Sequence, residues 1–212
     1  MSSQEFNQIL QTTYNKHCRV WSDIYEHLPT LYKYSKECES VLECGVRTVV
    51  SSWACLKGIV ENNKNIKKLT CCDLSRSENI DTLEIVACNL GVQFAFLEKS
   101  DLDITSTEID SVDLTFIDTW HIYGHLKREL KKFAPITKKY IIMHDTTVDE
   151  FQGETLRNGW NVEEQMKSSG YPREEIEKGL SYAINEFLSN NNDWKLKAKF
   201  TNNHGLTILE RV

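Results

Sequence analysis

Proline is scarce in this chain, three residues in 212. Few breaks are imposed on the backbone, so long stretches are free to form helices and strands. Basic charge is also short: 25 Lys and Arg stand against 31 Asp and Glu, a formal charge of −6. A phosphate backbone needs a basic face, so nucleic acid is not an expected partner. The basic runs at 64–68, 127–132 and 195–199 are short and read as solvated faces. No apolar run nears the roughly 20 residues of a membrane span. The start, MSSQEFNQIL, lacks the basic-then-apolar order of a leader. These absences point to a cytoplasmic protein with no membrane partner.

Cysteine is present but lacks pattern. Cys18, Cys38, Cys44, Cys55, Cys71, Cys72 and Cys88 are odd in number and never spaced CxxC. That weighs against a disulfide frame and a zinc site, and points to buried free thiols in a reducing compartment. The dinucleotide fingerprint GxGxxG is missing too.

The composition, 40% apolar and 26% charged, suits one globular domain. Residues 5–36 carry apolar side chains at helical spacing and predict two helices, an N-terminal helical extension over 1–37. From 38 onward the chain alternates. Strands are expected at 41–44, 66–72, 92–97, 112–117 and 140–143. Helices are expected at 51–62 with a serine cap, at 77–90 closed by Gly91, and at 123–133 ended near Pro135. This is the rhythm of βαβ units in a parallel, doubly wound sheet. Such sheets bind ligands at the carboxyl ends of their strands. Residues 146–178 break the rhythm with three glycines and a proline, and form a candidate lid or substrate segment. A helix is expected over 174–190. The tail alternates apolar and polar on both sides of TNNHG, an antiparallel hairpin. The expected fold is α/β and Rossmann-like: a mostly parallel seven-stranded sheet, an antiparallel C-terminal hairpin and N-terminal helices.

The residues able to do chemistry fall at predicted strand tips. Glu43, Gly45 and Arg47 follow the first strand, with Ser51 and Ser52 opening the next helix. Glycine permits a tight turn and close ligand approach, and a helix start offers free N–H groups. Asp73 ends the second strand, where an acid can accept from ribose hydroxyls, though a loop acid or cap fits as well. Ser100 and Asp101 follow the third strand. Asp118 and His121 follow the fourth, and His144 and Asp145 follow the fifth. Two carboxylates and two imidazoles at neighbouring strand tips make a plausible divalent metal site.

Together the segments VLECGVRTVVSSW, FIDTWHIYGHLKRELKKFAP and YIIMHDT resemble the class I S-adenosylmethionine-dependent methyltransferases, in the group of macrocin-type O-methyltransferases and cephalosporin-hydroxylase-like proteins. The likeness runs from about residue 38 to the end. It implies S-adenosylmethionine as cofactor and O-methylation of a hydroxyl on a small molecule or sugar. Glu43, Gly45, Arg47, Ser51 and Ser52 would then hold the methionine part, Asp73 the ribose, and Ser100 and Asp101 the adenine. Asp118 would sit at the cofactor and bind magnesium together with Asp145. His121 would be the general base. Two departures stand out: Ser51–Ser52 replace a glycine and a serine, and His144 occupies the place of a second carboxylate. Imidazole favours softer ions than magnesium. Trp120, Tyr123, Trp160 and Tyr171 are candidate acceptor-stacking surfaces or simply core. A homo-oligomer is possible. Three other readings stay open: a metal-free or catalytically silent member that binds the cofactor or merely uses the fold for assembly, a nicotinamide-dependent oxidoreductase, and a hydroxylase.

Overall fold

The computed structural model describes residues 1–212. Seven strands form one sheet: β1 (Ser40–Cys44), β2 (Lys68–Asp73), β3 (Gln93–Glu98), β4 (Val112–Ile117), β5 (Thr137–His144), β6 (Trp194–Phe200) and β7 (Leu206–Arg211). Their order is β3-β2-β1-β4-β5-β7-β6. The first five run parallel, and β7 is antiparallel to both β5 and β6. Every residue of β4, VDLTFI, is buried, as the central strand of a sheet covered on both faces must be.

The helices are α1 (Ser3–His17), α2 (Leu28–Ser35), α3 (Val50–Glu61), α4 (Asn79–Asn89), α5 (Tyr123–Phe133), α6 (Glu154–Arg157), α7 (Val162–Ser169), α8 (Arg173–Glu177) and α9 (Leu180–Asn190). Helix α1 opens with a reciprocal cap between Ser2 and Glu5 and buries Phe6, Leu10 and Tyr14 at helical spacing. These side chains share one apolar cluster with Leu28, Leu31, Val41, Leu114 and Phe116, so the N-terminal helices complete the core on one face of the sheet. Helices α5 and α9 close the other face through Leu126, Leu130, Phe133, Ala183 and Phe187. Phe116 is fully buried at the middle of the sheet. Phe116→Ala is expected to cost about 3–5 kcal/mol, read from the shift of a urea unfolding curve.

Several expectations need correcting. Helix α3 begins at Val50, and its cap position is Val49 at φ 68°, with no side-chain cap. The serine expected to cap it, Ser51, instead donates its hydroxyl to Glu43. The helix expected over 174–190 is two helices, broken at Gly179. Lys178 and Gly179 are extended, and a Cβ at 179 would lie 2.3 Å from the Asp149 carbonyl oxygen, so only glycine fits at the break. Within the candidate lid segment 146–178, α6, α7 and α8 fold over a small core of Ile122, Val162 and Ile176. All seven cysteines are free, but Cys88, near the end of α4, is exposed, and Cys18, just past α1, is half-buried against the edge of the core.

Strand order reverses at β1 and β4, and their carboxyl ends meet closely. Asp118 N donates to the Cys44 carbonyl at 2.8 Å. Gly45 sits at φ +83°, where a Cβ would fall 1.9 Å from the Asp118 carbonyl oxygen. A glycine is required there by both conformation and space.

Candidate active site

The crevice above that meeting point holds a cavity of about 180 Å³. Gly45, Arg47, Ser51, Asp118, His121 and Asp145 line it, joined by Asp23 from the N-terminal segment and Glu154 from α6. Six of the residues singled out from sequence therefore face one space. The others do not. Glu43 lies beneath it, fully buried, receiving the Ser51 hydroxyl and, at 3.4 Å, the Cys71 thiol. Burial pushes its carboxyl up to about 7. The neutral form is thus favoured in the folded state. Its stabilising effect is complete below the ordinary carboxyl range and is lost as pH rises through about 7. Wild-type protein is expected to melt higher at pH 5.5 than at pH 8.5, and Glu43→Gln to shrink that difference in a thermal scan.

Asp73 turns toward the same loop. Its Oδ2 accepts from the backbone N–H of Val46 and of Arg47, both at 2.8 Å, and braces the turn after β1. Its Oδ1 has a 3.4 Å contact with Ser75 N. Ser52 is fully buried, with its hydroxyl unpartnered. Ser100 caps the short turn after β3 by accepting from Leu102 N. Asp101 is turned inward, only 6% exposed, toward His125 on α5.

The centre of the site is an array of carboxylates and imidazoles. Asp118 Oδ1 lies 3.1 Å from His121 Nε2 and 3.2 Å from His144 Nδ1. Asp145 Oδ2 lies 3.0 Å from His121 Nδ1, and its Oδ1 lies 3.1 Å from His204 Nδ1. Asp149 and Glu154 come within 3.6 and 3.5 Å of the same His121 nitrogen. Despite these neighbours, His121 Nδ1 has no aligned hydrogen bond. Burial alone would lower the His121 pKa, but the Asp118 and Asp145 carboxylates outweigh it and hold it well above the ordinary imidazole range. Burial likewise opposes the charge on His144, and Asp118 overrides it, raising His144 to about 9. For Asp118, burial favours the neutral acid, yet His144 and His121 hold its pKa well below the carboxylate range.

Sequence reasoning missed four contributors. Asp23 pairs with Arg47 at 2.5 Å, and its carbonyl accepts from His144 Nε2 at 3.1 Å. His204 reaches in from the β6–β7 turn. Asp149 is held on two sides by Arg157, at 2.6 and 2.9 Å. Glu154 accepts from His121 N at 3.3 Å. Each sits in a segment whose position depends on distant packing, and no local pattern marks it.

The residues fit a divalent cation. Asp118, His121 and Asp145 each offer a ligating atom within 4.8 Å of the others. His144 Nε2 faces the carbonyl oxygens of Asp23 and Asn203, so it carries the proton, and Nδ1 can offer its lone pair toward Asp118 and Asp145. The residues also fit a cofactor carboxylate, since the start of α3 has no side-chain cap and borders the cavity through Val50 and Ser51.

A seven-stranded sheet of this order, with only β7 reversed, is the Rossmann-like fold of the class I methyltransferases. No protein-family model and no curated protein matches the sequence. Solved structures do. The chain is similar to the O-methyltransferase TomG of Streptomyces achromogenes, involved in tomaymycin synthesis and solved with SAM: TM-score 0.59, 13% identity, 96% of this chain and 89% of that one. It is similar to PaMTH1, an SAH-bound methyltransferase of Podospora anserina: TM-score 0.57, 10% identity, 96% and 87%. A putative caffeoyl-CoA O-methyltransferase of Staphylococcus aureus aligns over 100% of this chain and 93% of its own, with TM-score 0.57 and 15% identity. At such identities the likeness establishes the fold. No helix is long and apolar enough to cross a membrane.

Proposed function

We propose that the protein is an S-adenosylmethionine-dependent methyltransferase that acts on a hydroxyl of a small molecule or sugar, with a divalent cation at Asp118, His144 and Asp145. The observation that carries this reading is the convergence of Asp118, His121 and Asp145 on the β1/β4 crevice, where this fold binds ligands, with His144 Nδ1 behind them 3.2 Å from Asp118 and 3.4 Å from Asp145. The cofactor-bound state of TomG and PaMTH1 supports the choice of cofactor. S-adenosylmethionine supplies an electrophilic methyl group on a sulfonium. The cation supplies positive charge that makes an adjacent hydroxyl easier to ionise. The chain's own residues do the rest. Arg47 and the start of α3 hold an anionic end, Asp73 Oδ1 is available to a ribose hydroxyl, and His121 takes a proton when its neutral form is reached. Residues 146–178 bring the buried Asp149 and the cavity-lining Glu154 against His121 and act as the lid over the acceptor.

A second reading has an observation behind it. Asp73 already spends one oxygen on Val46 and Arg47, as it would in a protein that keeps the fold and never binds the nucleoside. Calorimetry separates the two. S-adenosylhomocysteine is expected to bind, and NAD and 2-oxoglutarate are not. Asp73→Ala is expected to weaken that binding by about 1.5–3 kcal/mol, the size of a lost charge-assisted hydrogen bond. Absence of any heat with wild-type protein would leave the silent reading standing. An unchanged dissociation constant in the variant would remove Asp73 from the site.

A further inference from the structure

Behind the 118–121 loop lies a second set of ligating side chains that the proposed transfer does not use. Asp101 stands in the turn after β3, while His125 and Glu129 stand one turn apart on α5. Glu129 is 1% exposed, and Asp101 is nearly as buried. His125 Nε2 lies 3.2 Å from Asp101 Oδ1 and 3.9 Å from Glu129 Oε1. One ligating atom from each of the three falls within 4.8 Å of the other two.

Two oxygens here are orphaned: Asp101 Oδ2 and Glu129 Oε2 are buried with no hydrogen-bond partner. Ionised carboxylate oxygens only accept, so a bound cation or a proton shared between the two acids must satisfy them. The neighbouring cations are engaged elsewhere. Lys132 donates to the carbonyls of Leu102 and Ile104, and Arg128 pairs with Glu175 while stacking on Tyr171. Thr119 donates its hydroxyl to Glu129 Oε1 at 2.6 Å, which leaves Oε2 untouched. Among the side chains, only His125 brings positive charge to this pocket.

The imidazole is oriented for a ligand's role. Tyr171 Oη lies 3.2 Å from His125 Nδ1. An Nδ1–H donated to that oxygen leaves the Nε2 lone pair aimed at the two carboxylates, the arrangement by which an outer partner fixes a metal-binding histidine. Bonds of about 2.0 Å in a tetrahedral site put neighbouring ligand atoms about 3.3 Å apart. The 3.2 Å separation meets this, and the 3.9 Å one needs only a small inward shift of Glu129.

We propose that Asp101, His125 and Glu129 form a second, buried divalent-cation site, suited by its one imidazole and two carboxylates to zinc. It ties the turn after β3 to α5 and, through Thr119, steadies the loop that carries Asp118 and His121. The inference stands whether or not the chain transfers methyl groups.

The test isolates this site by disabling the other. The Asp118→Asn/Asp145→Asn protein is stripped with chelator, dialysed against zinc alone and assayed by mass spectrometry of the metal. One equivalent of zinc is expected, with a higher melting temperature than the stripped form. Cobalt(II) in its place is expected to give the strong visible bands of a tetrahedral ion. Adding His125→Gln should abolish the cobalt spectrum and the rise in melting temperature, and weaken zinc binding at least about 100-fold, more than the loss of an outer partner causes. Glu129→Gln serves as a second, isosteric variant should His125→Gln not fold, and it too should lose the metal. Zinc absent from the double variant, or retained unchanged after either substitution, overturns the proposal. So does a Glu129→Gln protein that melts as high as its parent with zinc present, which is the result expected if Asp101 and Glu129 merely share a proton.

Discussion

Asp118→Asn and Asp145→Asn are each expected to lower acceptor methylation by more than about 100-fold while leaving S-adenosylhomocysteine binding largely intact. The lower bound follows from the 10–100-fold losses seen when only an outer partner of a metal ligand is removed. Asp118 is the hub, since its Oδ1 meets both His121 and His144. Four carboxylates, Asp118, Asp145, Asp149 and Glu154, crowd one imidazole, and Arg157 answers Asp149 at 2.6 Å and Glu154 at 3.8 Å. An asparagine keeps the shape and removes one negative charge, so a fall in rate without a fall in melting temperature separates cation binding from folding. Activity that survives exhaustive EDTA and does not rise with magnesium or manganese would sink the metal reading. Cofactor binding should persist because Arg47, Asp73 and the start of α3 stand on the β1 and β2 side of the crevice.

The tips of β4 and β5 were legible because an apolar run stops there and a charged group follows at once. Asp118 and Asp145 are legible for the same reason, and topology makes their strands neighbours. The N-terminal and C-terminal walls were not legible. Asp23 falls where helical spacing predicts helix, but the chain between α1 and α2 is turns, and its place over the site is set by contacts 121 and 181 residues away in sequence, His144 to the Asp23 carbonyl and Asn203 to the Ser22 carbonyl. His204 depends on the antiparallel return of β7, which lays the hairpin turn against Thr147 and Val148. Asp101 is a different case. Its position after β3 suggests an adenine contact or a loop acid, and the structure shows it turned inward against His125 and Glu129. On α5 that histidine and glutamate, four apart, read as an ordinary surface pair. Gly45 is different again: a lone glycine after a strand says little until the Asp118 carbonyl is found where its side chain would be.

His121→Gln is expected to lower kcat by about 100- to 10,000-fold, the usual worth of a positioned general base, with little change in KM. His121 is placed for the task by the Asp118 and Asp145 carboxylates, one at each ring nitrogen. Those same carboxylates set its difficulty. Burial favours the neutral ring, but the paired acids hold it protonated well above the ordinary imidazole range. A base acts only after losing its proton, so the rate should climb with pH through the pKa of His121 and level off above it. Positive charge bound among the carboxylates offsets their pull on the imidazolium, so that limb should move to lower pH as magnesium or manganese is raised. Glutamine cannot titrate, so the variant should show a low rate that no longer climbs along this limb. A glutamine variant that keeps the same limb would assign it to another group, with His144 the next to test because the same aspartate pushes it up to about 9. If the rate falls and the limb vanishes while S-adenosylhomocysteine binds as before, proton removal at His121 is the step that the crowded carboxylates control.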